Sequence, residues 1–216
     1  AAGSLGLLTS AYFVAFAAMQ IPVGMLLDRY GPRRVEPVLL AVAAAGALAF
    51  ALADNLAGLA LARGLIGAGV AACLMAPLKA IAVWYPPERR ASLFGWMMVA
   101  GGVGALAATA PLEFTLRFAS WRSIFVVLAG LTLAVAVWIA WRVPDTPQPE
   151  RATRLGDQWA GVVRVYRHPR FWWMAPLGGF AMGAFAATQG LWAVPWMMEV
   201  EGLTRAHAAQ RLLAMG

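Results

Sequence analysis

Apolar residues fall in long runs along this chain, at 5–27, 37–53, 56–85, 92–112, 123–141 and 171–198, separated by short polar breaks. Most runs are close to the roughly 20 residues that an α-helix needs to cross a bilayer. The pattern therefore predicts six transmembrane helices. The breaks carry their own chemistry: 28–36 is polar, Asp54-Asn55 suits a tight turn, Pro86-Pro87-Glu88-Arg89-Arg90 stops a helix, and 119–122 links two spans. After Arg142, the prolines at 144, 147 and 149 mark a linker. Beyond it, Leu155, Trp159, Val162 or Val163 and Tyr166 recur at helical spacing among arginines, which predicts an interfacial helix within 154–170. Residues 204–216 read as the start of a further span that is cut off. The predicted fold class is all-α, a polytopic transmembrane helix bundle.

Composition agrees, with 62% apolar and 12% charged residues, against near-half and about a quarter in a soluble domain. The net charge of +7 is nearly all arginine held in the breaks, whereas a nucleic-acid binder displays a basic face on a polar domain. A single cysteine, Cys73, leaves no disulfide framework or thiolate metal site within the chain. The breaks with Arg29, Arg33 and Arg34, with Arg89 and Arg90, and with Arg142 through Arg170 alternate with breaks holding only Arg117, Arg122 and Arg205. The positive-inside rule puts the first set in the cytoplasm. Both chain ends then lie outside. With no initiator methionine or signal peptide, that predicts a fragment of a longer protein.

The most specific stretch is Gly24-Met-Leu-Leu-Asp28-Arg29-Tyr30-Gly31-Pro32-Arg33-Arg34. Gly24 suits a close approach of helices, Asp28 can pair with a cation or a helix N-terminus, and Gly31 suits a turn. Arg33 and Arg34 suit a cytoplasmic membrane surface. This stretch, read as a charged loop, resembles position for position the loop signature of the major facilitator superfamily of secondary transporters. Arg63-Gly64-Leu-Ile-Gly67-Ala-Gly69 resembles that family's fourth-helix motif, and Trp84-Tyr-Pro86-Pro87-Glu88-Arg89-Arg90 its usual exit. The resemblance covers essentially the whole chain. It implies the second to seventh of twelve helices and the start of the eighth. Residues 1–141 would be an N-terminal half-bundle lacking its first helix, 142–169 a cytoplasmic linker with the interfacial helix, and 170–216 the start of the C-terminal half-bundle. It further implies a conformational latch of Gly24, Asp28, Arg29, Gly31, Arg33 and Arg34. In that latch Asp28 would meet a helix of the opposite half.

Arg63 and Lys79 are candidate substrate or coupling residues, because charges inside membrane helices line cavities or find partners. Both also have a structural reading, in which a long side chain snorkels or bonds backbone carbonyls. In the last span Thr188, Gln189 and Trp192 are further candidates, against helix-to-helix hydrogen bonding for the amide. Family members that exchange protons for drugs carry two glycines and then Gly-Pro in the fifth span. Here Gly95 and Gly104 fit, but Ala108-Thr109 stands in the Gly-Pro place. Gly101, Gly102, Gly104, Ala105 and Ala108 read as a packing face.

No His-Glu-x-x-His, Gly-x-Ser-x-Gly or phosphate-binding loop occurs, so neither an enzyme nor a metal or cofactor site is predicted. The resemblance implies a transporter moving a small solute by alternating access with gradient coupling, by uptake of a metabolite or organic anion. Proton-coupled drug efflux and a solute-sensing receptor on the same fold are the alternatives. The implied partners are a small-molecule substrate, the lipid bilayer, protons and the remaining helices of the full-length chain, with no nucleic acid. The implied location is the bacterial inner membrane.

Overall fold

The computed structural model describes residues 2–108, 110–145, 155–188, 192–204, 208 and 211. All regular elements among them are helical. The chain divides into two compact units, one formed by Ala1–Val99 with Leu116–Leu155 and the other by Ala100–Thr115 with Gly156–Gly216.

The first unit holds α1 (Ala2–Tyr30), α2 (Pro32–Leu52), α3 (Leu56–Gly69), α4 (Met75–Trp84), α5 (Pro87–Ala107) as far as Val99, and α7 (Trp121–Arg142). At its centre is α2, packed on α3 and α7, while α1 packs on α3. Small residues set these approaches. A Cβ on Gly46 would strike the backbone at Ile66, one on Gly67 the backbone of Tyr12, and one on Gly69 the backbone of Ala43. Val23, Leu27, Val35 and Leu39 bury their side chains against Ala71, Ala72 and Ala76, which ties α1 and α2 to the start of α4.

The remaining joints are capped by side chains. Asn55 accepts the Gly58 N–H at 2.7 Å and opens α3, and Ser120 accepts the Ser123 N–H at 3.1 Å and opens α7. Arg122 donates to the carbonyls of Ala51 and Ala53, each at 3.0 Å, and to Asp54 at 2.7 Å. It therefore closes the last turn of α2, whose carbonyls have no partners within the helix.

Among the described residues four helices are long and apolar enough to cross a membrane: Gly6–Tyr30, Pro32–Leu52, Pro87–Ala107 and Trp121–Arg142. The apolar run at 56–85 is not one helix as expected. It is two, joined by a turn over 70–74 in which the Ala71 and Cys73 N–H groups reach back only three residues, to Ala68 and Val70. Pro77 gives a reason, since it lacks the N–H that would bond the Cys73 carbonyl in a continued helix.

The glycine-rich face of α5 also differs from expectation. A Cβ on Gly95, Gly101, Gly102 or Gly104 meets nothing within 4 Å, and α5 has no buried residue. Among the described residues nothing packs on that face.

The second unit holds α6 (Ala110–Thr115), α8 (Leu155–Arg167), α9 (Pro169–Ala187) and α10 (Ala193–Glu199). The helix expected within 154–170 is present as α8. Most of 204–216, read as a further span, lies outside the described residues.

Candidate functional site

The signature stretch is not a loop. α1 continues through Asp28 and Arg29 to Tyr30, Gly31 alone is out of helix, and α2 starts at Pro32. Gly31 has φ 76° and ψ 163°, which only glycine adopts without strain. Its N–H bonds the Leu27 carbonyl at 3.0 Å and its carbonyl receives the Val35 N–H at 3.3 Å. Pro32 needs no N–H partner at a helix start. The reversal therefore takes one residue, and the charges project from two helix ends.

Those charges are paired within the first unit. Asp28 forms an ion pair with Lys79 of α4. Arg33 donates to Asp145 at 3.0 Å and to the Ala140 carbonyl at 3.2 Å, with Arg34 3.8 Å from the same carboxylate. Asp145 thus draws the segment after α7 onto the start of α2, beside a cleft of about 470 Å³ lined by Pro37 and Val38 as well as these groups. Arg29 lies over the Tyr30 ring, 5.3 Å from its centre. Arg90 donates to the carbonyls of Tyr85 and Ala82 at 2.9 and 2.7 Å and so binds α5 to the end of α4. Gly24 makes no close approach here: a Cβ there meets nothing within 4 Å among the described residues.

Arg63 stands apart from this cluster, on α3. Its guanidinium lies 4.9 Å from the centre of the Phe50 ring of α2 and 5.8 Å from that of Phe125 on α7. These two rings pack on each other at 4.5 Å. The cation is thus held by ring faces. Its Nε is buried with no hydrogen-bond partner among the described residues, a group that normally finds one. The contact with rings of two other helices was not foreseen, because Phe50 and Phe125 lie far from Arg63 in sequence.

Sequence reasoning also missed Glu36. It looked like the end of a polar break, yet it is the only buried charged residue among the described residues, 8% exposed. Its carboxyl group meets the Cys73 thiol at the α3–α4 turn, and Oε2 has no hydrogen-bond partner among the described residues. Its position between Val35 and Pro37, one turn before Leu39 and Leu40, was the available signal.

Of the candidates in the second unit, Thr188, just past the end of α9, donates its hydroxyl one turn back to the Ala184 carbonyl at 2.8 Å. Trp192 is exposed. Gln189 lies outside the described residues. Within the first unit the structure therefore brings Asp28 together with Lys79, sets Arg33 and Arg34 on Asp145, and leaves Arg63 apart from both pairs.

The sequence profile of the Major Facilitator Superfamily matches residues 1–216. The chain belongs to that superfamily, and with its long apolar helices it is a multi-pass membrane protein. It is 32% identical over 135 residues to the hexuronate transporter of Escherichia coli (strain K12), covering 62% of this chain and 31% of that protein. It is 31% identical over 134 residues to the galacturonate transporter of Dickeya chrysanthemi, covering 60% and 38% respectively. Its fold is similar to the crystal structure of a bacterial homolog of the human lysosomal transporter Spinster, inward-facing and unoccupied. There the TM-score is 0.64 at 21% identity, over 96% of this chain and 50% of that one. The chain thus spans about a third of the two sugar-acid transporters it matches.

Proposed function

We propose that this protein transports a small organic anion across a bacterial inner membrane by alternating access, with a carboxylate-bearing sugar acid as the substrate class. The observation that carries the reading is Arg63. A guanidinium enclosed by two phenyl rings, with an uncommitted Nε–H, can offer a fork of donors to a carboxylate. The two rings hold the cation by their faces. Membrane-embedded cations of this kind mark substrate or ion pathways. That two of the relatives carry a hexuronate and a galacturonate by name agrees in charge and size.

In this reading the paired ends of α1, α2, α4 and α7 form the latch on the cytoplasmic side. The Asp28, Lys79, Arg33 and Asp145 side chains retain from about a quarter to two thirds of their exposure. Ion pairs that exposed are worth about 1 kcal/mol or less each. Such bonds can break and re-form during a transport cycle, which a deeply buried pair could not do cheaply.

Uptake of labelled glucuronate and galacturonate into proteoliposomes tests the proposal. With Arg63→Lys we expect a KM raised about tenfold, the loss of one charge-assisted fork, and with Arg63→Ala no measurable uptake. Wild-type KM in both variants would remove Arg63 from the substrate path. Binding of either sugar acid without accumulation in the wild type would point instead to a sensor.

A further inference from the structure

The turn between α8 and α9 forms a site of its own. α8 ends at Arg167, His168 is out of helix, and α9 begins at Pro169. The His168 N–H bonds the Val165 carbonyl and the Phe171 N–H bonds the His168 carbonyl, both at 3.0 Å. The Trp172 indole N–H reaches back to the Tyr166 carbonyl at 2.8 Å. Tyr166, Phe171 and Trp172 close on one another, with ring centres 4.8 to 6.3 Å apart. The elbow is thus built by its own side chains rather than left as a slack connection.

A cleft of about 590 Å³ opens in it. Arg164, His168 and Arg170 line it together with Val165, Phe171, Met174 and Ala175, and most of the lining surface is apolar. No carboxylate lines it among the described residues. Among the described residues, neither the Arg164 nor the Arg170 guanidinium has an ion-pair or hydrogen-bond partner, in contrast to Arg33, Arg90, Arg122 and Arg211. His168 accepts the Arg170 backbone N–H through Nδ1 at 3.3 Å. Its proton then sits on Nε2, which makes the ring a donor there.

The surroundings fix the depth at which such a cleft would lie. Trp159 and Tyr166 on α8 are exposed, and so are Trp172, Trp173 and Met174 at the start of α9, Trp173 to 85%. Exposed indole rings beside arginines belong at the boundary between headgroups and acyl chains.

We propose that this cleft binds one anionic phospholipid, with its phosphodiester on Arg164, His168 and Arg170 and the head of an acyl chain along Phe171, Met174 and Ala175. A free phosphate would leave the apolar lining unused. A zwitterionic lipid would bring its own cation against two unpaired guanidinium groups, whereas basic pockets at a membrane face favour anionic headgroups.

Native mass spectrometry of the delipidated protein titrated with phosphatidylglycerol or phosphatidylcholine tests this. We expect one phosphatidylglycerol to be retained about tenfold more tightly than phosphatidylcholine. The Arg164→Gln/Arg170→Gln double variant should lose that preference. Met174→Trp, which fills the cleft without touching its charge, should lose it too, with phosphatidylcholine adducts unchanged in both as a check on folding. Equal preference in wild type and both variants would overturn the site. Displacement of phosphatidylglycerol by excess inorganic phosphate would overturn the lipid assignment in favour of a soluble anion.

Discussion

Glycines at equivalent-looking positions have opposite consequences here. At Gly69 an added methyl would fall on the Ala43 backbone, so neither partner can yield without α2 and α3 separating. Gly69→Ala should therefore cost about 1 to 3 kcal/mol by overpacking, read as a lowered apparent Tm in detergent. Gly24→Ala, with open space around it, should be neutral or raise stability by up to about 1 kcal/mol, since alanine favours helix over glycine. An equal loss at both would mean that Gly24 packs against a surface outside the described residues. The two cases could not be separated in the sequence, where each is a small residue in an apolar run. What distinguishes them is which face of the helix meets a neighbour. The same holds for charges. That Lys79 is held by Asp28 was not readable, because the two are far apart in the chain and each alone suggested a different partner.

Helix limits were largely readable where the chain carries a chemical stop. Asn55 and Ser120 open α3 and α7 through their side chains, and Pro87 begins α5. The limit at 70–74 was not, because no polar residue marks it: Val70-Ala-Ala-Cys-Leu74 is as apolar as its flanks. Only Pro77 hinted at it. The end of α2 depends on a distant residue, since Arg122 supplies donors to the carbonyls of Ala51 in its last turn and of Ala53 just past it. Arg122→Gln should cost about 1 to 3 kcal/mol, the range for leaving buried or charged hydrogen bonds unmade. Asp54→Asn should cost less than about 1 kcal/mol, because that carboxylate is 89% exposed. Thermal unfolding of the two variants side by side checks the order, and a larger loss at Asp54 would mean the ion pair, not the carbonyls, holds the joint.

At the scale of the whole molecule, the spacing from Gly24 to Arg34 already carries the family's mark in the sequence. The residues of that stretch meet three other segments: Lys79 on α4, and Ala140 and Asp145 at and after the end of α7. If these pairs act in the transport cycle, exchanging charges should be tolerated better than removing one. Asp28→Lys with Lys79→Asp should restore a large part of the uptake lost in either single variant, measured in proteoliposomes. No recovery would place Asp28 against a different partner during the cycle. The substrate candidates were less readable, because Arg63 takes its meaning from Phe50 and Phe125, and phenylalanines in an apolar run carry no mark of being next to a cation.

Gly31, as the one residue out of helix between α1 and α2, leaves the chain no slack there. A single inserted residue would turn α2 by about 100° about its axis, given 3.6 residues per turn. Val35 and Leu39 would swing off the α1 core, Ala43 away from Gly69, and Phe50 away from Arg63, all in one step. Reading frame in its structural sense is thus set at this joint. A charge of the signature can be exchanged together with its partner, whereas its length cannot change without unseating every face that α2 presents.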